Sequence, residues 1–277
     1  MPKKSSSALQ TGPLSVGDVI NGGIRIYRDH FKSYFMLALT GYLWLLVPVY
    51  GWAKFSATLG ILGRLAFGEV SEHPETVGDV RSEVNPRMWN FLGAGIVTGL
   101  ILTGVYLGGA IAIGILVAAA SNISGQNYLI IVPVVLIAVI AFLIFYLRVI
   151  SQLFVVELPL AIEKDVNVTS AISRSWELTK GSVARILLIV FVGGLASIPV
   201  TIVVPFIFGF LVGSILTAFL DPTSGIFLIV SNLLTLPVSL GSGALMIPFW
   251  QAIKAIIYYD LRSRKEGLGL QIRDSKS

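Results

Sequence analysis

The chain contains no cysteine. That excludes disulfides, thiolate metal centres and a cysteine nucleophile. Its two histidines, His30 and His73, fall in different regions. A zinc centre needs three or four converging ligands, so both read as surface residues. Charge is scarce as well: 13% of 277 residues, against about 25% in soluble domains. The charges present are clustered. None falls from Met88 to Leu147, none lies between Lys32 and Lys54, and Asp221 stands alone from Ile186 to Trp250. No glycine-rich loop followed by a lysine is available to cradle nucleotide phosphates. Most acids lie in polar loops rather than as a converging pair for acid–base work. The composition therefore points to no enzyme, no metal, no cofactor and no nucleic-acid partner; membrane lipids explain the net charge of +5 better.

What is abundant is apolar surface: 55% of the residues are hydrophobic and the mean hydropathy is +0.84. Uncharged apolar runs of about 20 residues cross a hydrocarbon core of about 30 Å. The expected fold is an all-α polytopic membrane bundle of about six segments, near 33–54, 89–119, 128–158, 184–204, 206–220 and 224–259. One helical domain would cover 15–262, between a polar N-terminal tail (1–14) and a C-terminal tail (263–277). The N-terminal tail has no apolar core and does not read as a cleaved signal. The run 186–220 would measure about 50 Å as one helix. It is broken by Pro199 and Pro205, as 224–259 is by Pro237 and Pro248, so each is a kinked helix or a span plus a shorter piece. Lysines and arginines flank the first and last segments and place both termini in the cytoplasm. That requires an even number of crossings and favours six over five. The acidic loop 69–87 then falls outside. So does 161–183, a placement at odds with its Lys164, Arg174 and Lys180.

Two polar stretches carry helical periodicity. In 15–32, Val16, Ile20, Ile24, Tyr27 and Phe31 share a face, and Ser15 with Asp18 forms a capping pair. In 168–180, Val168, Ile172 and Trp176 do the same, with Gly181 as the stop. Such helices lie in the interface or pack on the protein's own spans. A shift of 149 residues superposes Val19, Arg25 and Tyr27 on Val168, Arg174 and Trp176, as in membrane proteins built from two similar halves. Arg25, Arg28, Arg174 and Trp176 are the candidate interfacial lipid contacts. Gly95, Gly99, Gly104 and Gly108 form a small-residue pattern suited to close helix packing. Arg148, Gln152 and Glu157 make a candidate intramembrane polar site, since charges at that depth are costly; the bland alternative is the interfacial end of a helix with Arg148 snorkelling. Asp221, in DPTSG, reads as a helix cap.

Three stretches, LSVGDVINGGIRIYRDHFKSYF (14–35), AISRSWELTKGSVARIL (171–187) and IYYDLRSRKEGLGLQI (257–272), together resemble the membrane domain of the glycerophosphoryl diester phosphodiesterase family and its multi-pass bacterial relatives. The resemblance implies about six helices with amphipathic segments and a bacterial inner or internal membrane. Some members carry a phosphodiesterase barrel. The residues here hold no counterpart of such a barrel of about 250 residues, so the resemblance implies location and fold, not reaction. Three functions compete: a non-enzymatic protein that organises or assists partner proteins or lipids, a transporter or permease for a lipid or small amphiphile, and an intramembrane lipid-modifying enzyme. The first is preferred over the second. The third lacks an assembled acid, base and nucleophile.

Overall fold

The structure is a computed structural model that describes residues 14–125 and 127–267. Positions 1–13 of the expected N-terminal tail and 268–277 of the C-terminal tail lie outside the described residues. All regular structure among the described residues is helical: α1 (Val16–Asp29), α2 (Phe31–Trp44), α3 (Tyr50–Val70), α4 (Val77–Val84), α5 (Met88–Ser124), α6 (Tyr128–Gln152), α7 (Glu157–Ile162), α8 (Val168–Thr179), α9 (Val183–Ile198), α10 (Val204–Leu216) and α11 (Gly225–Glu266). Four stretches are long and apolar enough to cross a membrane: Val77–Ile123, Tyr128–Ile162, Val183–Leu216 and Gly225–Glu266.

Three expected segments take a different form. The stretch 33–54 is not one helix. The chain turns at Leu45–Val49, where Pro48 interrupts the hydrogen-bond ladder and Val49 takes a φ of 62°, rare for a β-branched residue. α3 then returns along α2. Only glycine fits at position 51, because a Cβ there would run into the Trp44 carbonyl oxygen. Segments 184–204 and 206–220 are instead one continuous helical stretch. A π-helical turn over Pro199–Val203 joins α9 to α10. Two prolines without N–H groups loosen the ladder there, and the wider turn absorbs the loss. The expected loop 69–87 is largely ordered helix, comprising α4 and a 3-10 turn at Asn85–Arg87. The other expected segments are single helices with shifted ends, 128–158 stopping at Gln152 and 89–119 and 224–259 extending to Ser124 and Glu266.

Burial divides the molecule in two. At one end α1, α2, α3, α4, α7 and α8 pack with the adjoining ends of α5, α6, α9 and α11 around a continuous apolar core. The last eighteen residues of α11 run through its centre, with Phe249, Ile253, Ile257 and Leu261 buried. Burial of each such side chain contributes about 1.5–3 kcal/mol. α1 presents Val19, Ile20, Ile26 and Tyr27 to α11 and α9, and Gly22 and Gly23 rest against Ile256 and Ile253. The predicted stripe is thus only partly turned onto the protein: Ile20 and Tyr27 are buried, Val16 is half-buried, and Ile24 and Phe31 are exposed. The capping box at Ser15 and Asp18 forms as the spacing predicts, and α8 has one of its own at Asn167 and Ser170.

At the other end two hairpins, α5 with α6 and α10 with α11, extend with little of their surface covered. α10 buries no residue, and α11 buries none before Ser242. We call the packed end the platform. Segments 69–87 and 153–182 and the end of α11 all meet on it. Arg64 of α3 bonds Glu75 and Glu83 and donates to the Ala161 carbonyl, while Arg87 donates to the Glu163 and Val166 carbonyls. Segment 161–183 thus shares one end of the molecule with 69–87 and with both described termini.

Candidate functional site

The stretches 14–35, 171–187 and 257–272 lie far apart in sequence and converge on one carboxylate. Asp260, 6% exposed, sits in the YYDLR run of α11. Its Oδ1 accepts from the Leu14 backbone N–H at 3.3 Å, and its Oδ2 accepts from Arg185 at 2.7 Å and from Arg264 at 2.8 Å. Leu14 opens the first stretch and Arg185 lies near the end of the second. Asp260 thus ties the start of α1, the start of α9 and the end of α11 together. Arg185 keeps its Nε and Nη2 buried without an acceptor among the described residues.

A second cluster lies beside it. Glu163, after α7, accepts from Tyr258 at 2.5 Å and Arg174 at 3.1 Å, and lies 3.9 Å from Arg262. Glu266 bonds Arg174 at 2.5 Å and Arg262 at 3.0 Å. Lys265 donates to the Glu177 and Lys180 carbonyls, which closes the end of α8 onto α11. On the far side Glu75 and Glu83 hold the Arg64 guanidinium above its ordinary pKa, against its burial. Every carboxylate in these clusters accepts from a cation. Chemically they are clamps, with each charge compensated by a charge-assisted hydrogen bond.

The three residues of the predicted polar site are held separately. Glu157 opens α7 and bonds Lys254 at 2.5 Å and Gln251 at 2.9 Å, both from α11. Gln152 is 1% exposed. Its carbonyl accepts from Ser175 at 2.7 Å, while its side-chain oxygen has no donor among the described residues. Arg148 is exposed and, among the described residues, makes no ion pair; its carbonyl accepts from the Ser151 hydroxyl. Its position fits the snorkelling alternative. The glycines also differ from expectation: a Cβ at Gly95, Gly99, Gly104 or Gly108 would meet nothing. The close contact between α5 and α6 is instead at Gly109, against the Phe142 ring.

Of the expected lipid contacts, Arg25 and Arg28 are exposed on α1, Arg28 pairing with Asp29, and Trp176 is 40% exposed. Arg174 is drawn into the Glu163 cluster. Asp221 makes a turn onto Thr223, and Ser224 caps α11 in its place. His30 pairs with Glu69, and His73 contacts the Ser71 carbonyl. No group of acids and histidines suited to a metal is present among the described residues. Sequence reasoning missed Asp260 because two of its three partners lie 75 and 246 positions away; the available signal was its i,i+4 spacing to Arg264. Comparison of the chain with family profiles, curated proteins and solved structures gave no match.

Proposed function

We propose that this chain is a non-enzymatic integral membrane protein that organises partner proteins and lipids in a bacterial membrane. One observation carries the reading: a rigid, ion-clamped platform bears spans whose apolar surface the chain itself leaves uncovered. Of their most apolar windows, between 0% and 22% is buried. The open glycine face of α5 suits close approach by another helix. The charges at the membrane edge neutralise one another rather than line a polar path, which weighs against the permease reading. The likeness of the three stretches to the phosphodiesterase-associated membrane domain fits as well, since all three build the platform.

Depth follows from length and aromatic position. From Tyr128 to the exposed Arg148, α6 spans about 30 Å at 1.5 Å per residue, one hydrocarbon thickness. The Tyr146 ring lies tilted against that of Tyr106 on α5, their centroids 6.2 Å apart. The turn between α2 and α3 sets Trp44 edge-on to Tyr50 and Tyr42 against Phe55 and Gly243, with Trp52 exposed beside them in sequence. From Ser224 to Gly243 is again about 30 Å. These aromatics with Lys54 and Arg148 form an interfacial belt. The platform then stands on the cytoplasmic side, with both termini, and four crossings return the chain there. Above the belt a groove of about 530 Å³ between α2 and α4 carries Lys32 and Arg81 at its rim, suited to anionic headgroups.

A photoreactive residue placed at Gly99 or Gly104 in native membranes tests the reading. An organiser gives a discrete protein adduct there and none from Ile137 on the lipid side of α6. Lipid adducts alone at all three positions would remove it.

A further inference from the structure

Among the polar side chains of the spans, Asn232 stands apart. It lies on α11 about 12 Å from Ser224 at 1.5 Å per residue, near the middle of a 30 Å core. The neighbouring hydroxyls are satisfied within their own helix: Thr235 donates to the Ser231 carbonyl and Ser239 to the Thr235 carbonyl. Asn232 is exposed. One amide hydrogen goes to the Leu228 carbonyl at 2.7 Å, but its oxygen and second N–H meet no partner among the described residues. The surrounding face, Leu228, Ile229, Leu233, Leu236 and Ser239, forms an open groove of about 490 Å³ with the amide at its centre. α10 packs on the neighbouring side, where Gly209 meets Thr235, and leaves this face clear.

From this face we infer that two copies of the chain pair along α11, with the Asn232 amides bonded to each other across a two-fold axis normal to the membrane. The occupant follows from what the amide needs. It presents one acceptor and one donor, and acyl chains offer neither. The groove bears no charge that would select an ionic ligand. Copies inserted by the same rule share one orientation, so Asn232 of each arrives at the same depth, facing a group that supplies both the missing donor and the missing acceptor. An isologous contact of this kind closes at two subunits. A single buried asparagine is known to fix register between paired helices.

The inference rests on the membrane placement proposed above and is tested in native membranes. Because the chain lacks cysteine, Leu236→Cys, one turn from Asn232 on the same face, is a clean reporter. Oxidation is expected to give a disulfide-linked species of twice the chain mass, and Ile137→Cys at similar depth on α6 to give none. Adding Asn232→Leu should lower the dimerisation constant about tenfold, the scale of an interhelical polar contact in lipid, and Asn232→Gln should restore it. Equal cross-linking at position 137, unchanged yield in the leucine variant, or an adduct with a different protein would each overturn the pairing. Rapid labelling of Leu236→Cys by a membrane-impermeant maleimide would overturn the membrane placement itself. An unlabelled, uncross-linked cysteine removes only the dimer.

Discussion

Asp260 accepts from two arginines and one backbone N–H at a position 6% exposed. A carboxylate so placed is stable only while its partners remain, because removing one side of a buried pair leaves the other uncompensated. Asp260→Asn keeps the shape and removes the charge, stranding Arg185, whose remaining donors are already unmatched. The expected loss is about 1–3 kcal/mol, below the full cost for a buried pair because both arginines keep some contact with water. Arg264→Gln removes the more exposed partner, 36% accessible, and should cost under about 1 kcal/mol. Apparent melting temperatures in detergent separate the two. Equal shifts would mean that Asp260 does not join the three segments as described.

Among the elements, the hairpin of α2 and α3 depends on one glycine. Gly51→Ala forces a methyl group against the Trp44 carbonyl, and overpacking of this kind costs about 1–3 kcal/mol. Gly99→Ala places the same methyl in open space and should change the melting temperature of the detergent-solubilised monomer little, within about 0.5 kcal/mol. If both behave alike, the tight turn is wrong. The contrast also shows what was legible beforehand. Long apolar helices, both amphipathic elements and the Ser15–Asp18 cap could be read because hydropathy and 3.6-residue periodicity are local properties, while the Asn167–Ser170 box of α8 was missed. The turn at Leu45–Val49 was hidden inside an uncharged run, where hydropathy alone cannot distinguish a helix that continues from one that doubles back; Pro48 marked the place but not the outcome. Gly95, Gly99, Gly104 and Gly108 had the spacing for packing, yet spacing does not say which face a neighbour occupies, and Gly109 took the contact. Glu157 was found as a candidate but not its partners Lys254 and Gln251, which lie nearly a hundred positions on.

At the scale of the whole molecule, the membrane placement proposed above makes the distribution of cations decide which way it sits. The loops joining α5 to α6 and α10 to α11 contain no lysine or arginine, and Asp221 is the only charge there. The platform holds Arg25, Arg28, Lys32, Arg64, Arg81, Arg87, Lys164, Arg174 and Lys180 among others. Carrying one such charge through the bilayer centre costs about 2.5–3.5 kcal/mol even on the most lenient scale, so a platform rich in them stays where the ribosome leaves it. This orientation and the six-segment alternative make opposite statements about two places. With six crossings, positions 82 and 173 face outward. With four, both lie on the cytoplasmic platform beside the C-terminal end of α11. Position 223 is external in either case. Single cysteines at Ser82, Ser173 and Thr223, all exposed, should therefore show external thiol labelling of intact cells at 223 alone, with 82 and 173 reacting only after the membrane is opened. Labelling of 82 or 173 in intact cells would invert the platform, and the cation argument would fail with it.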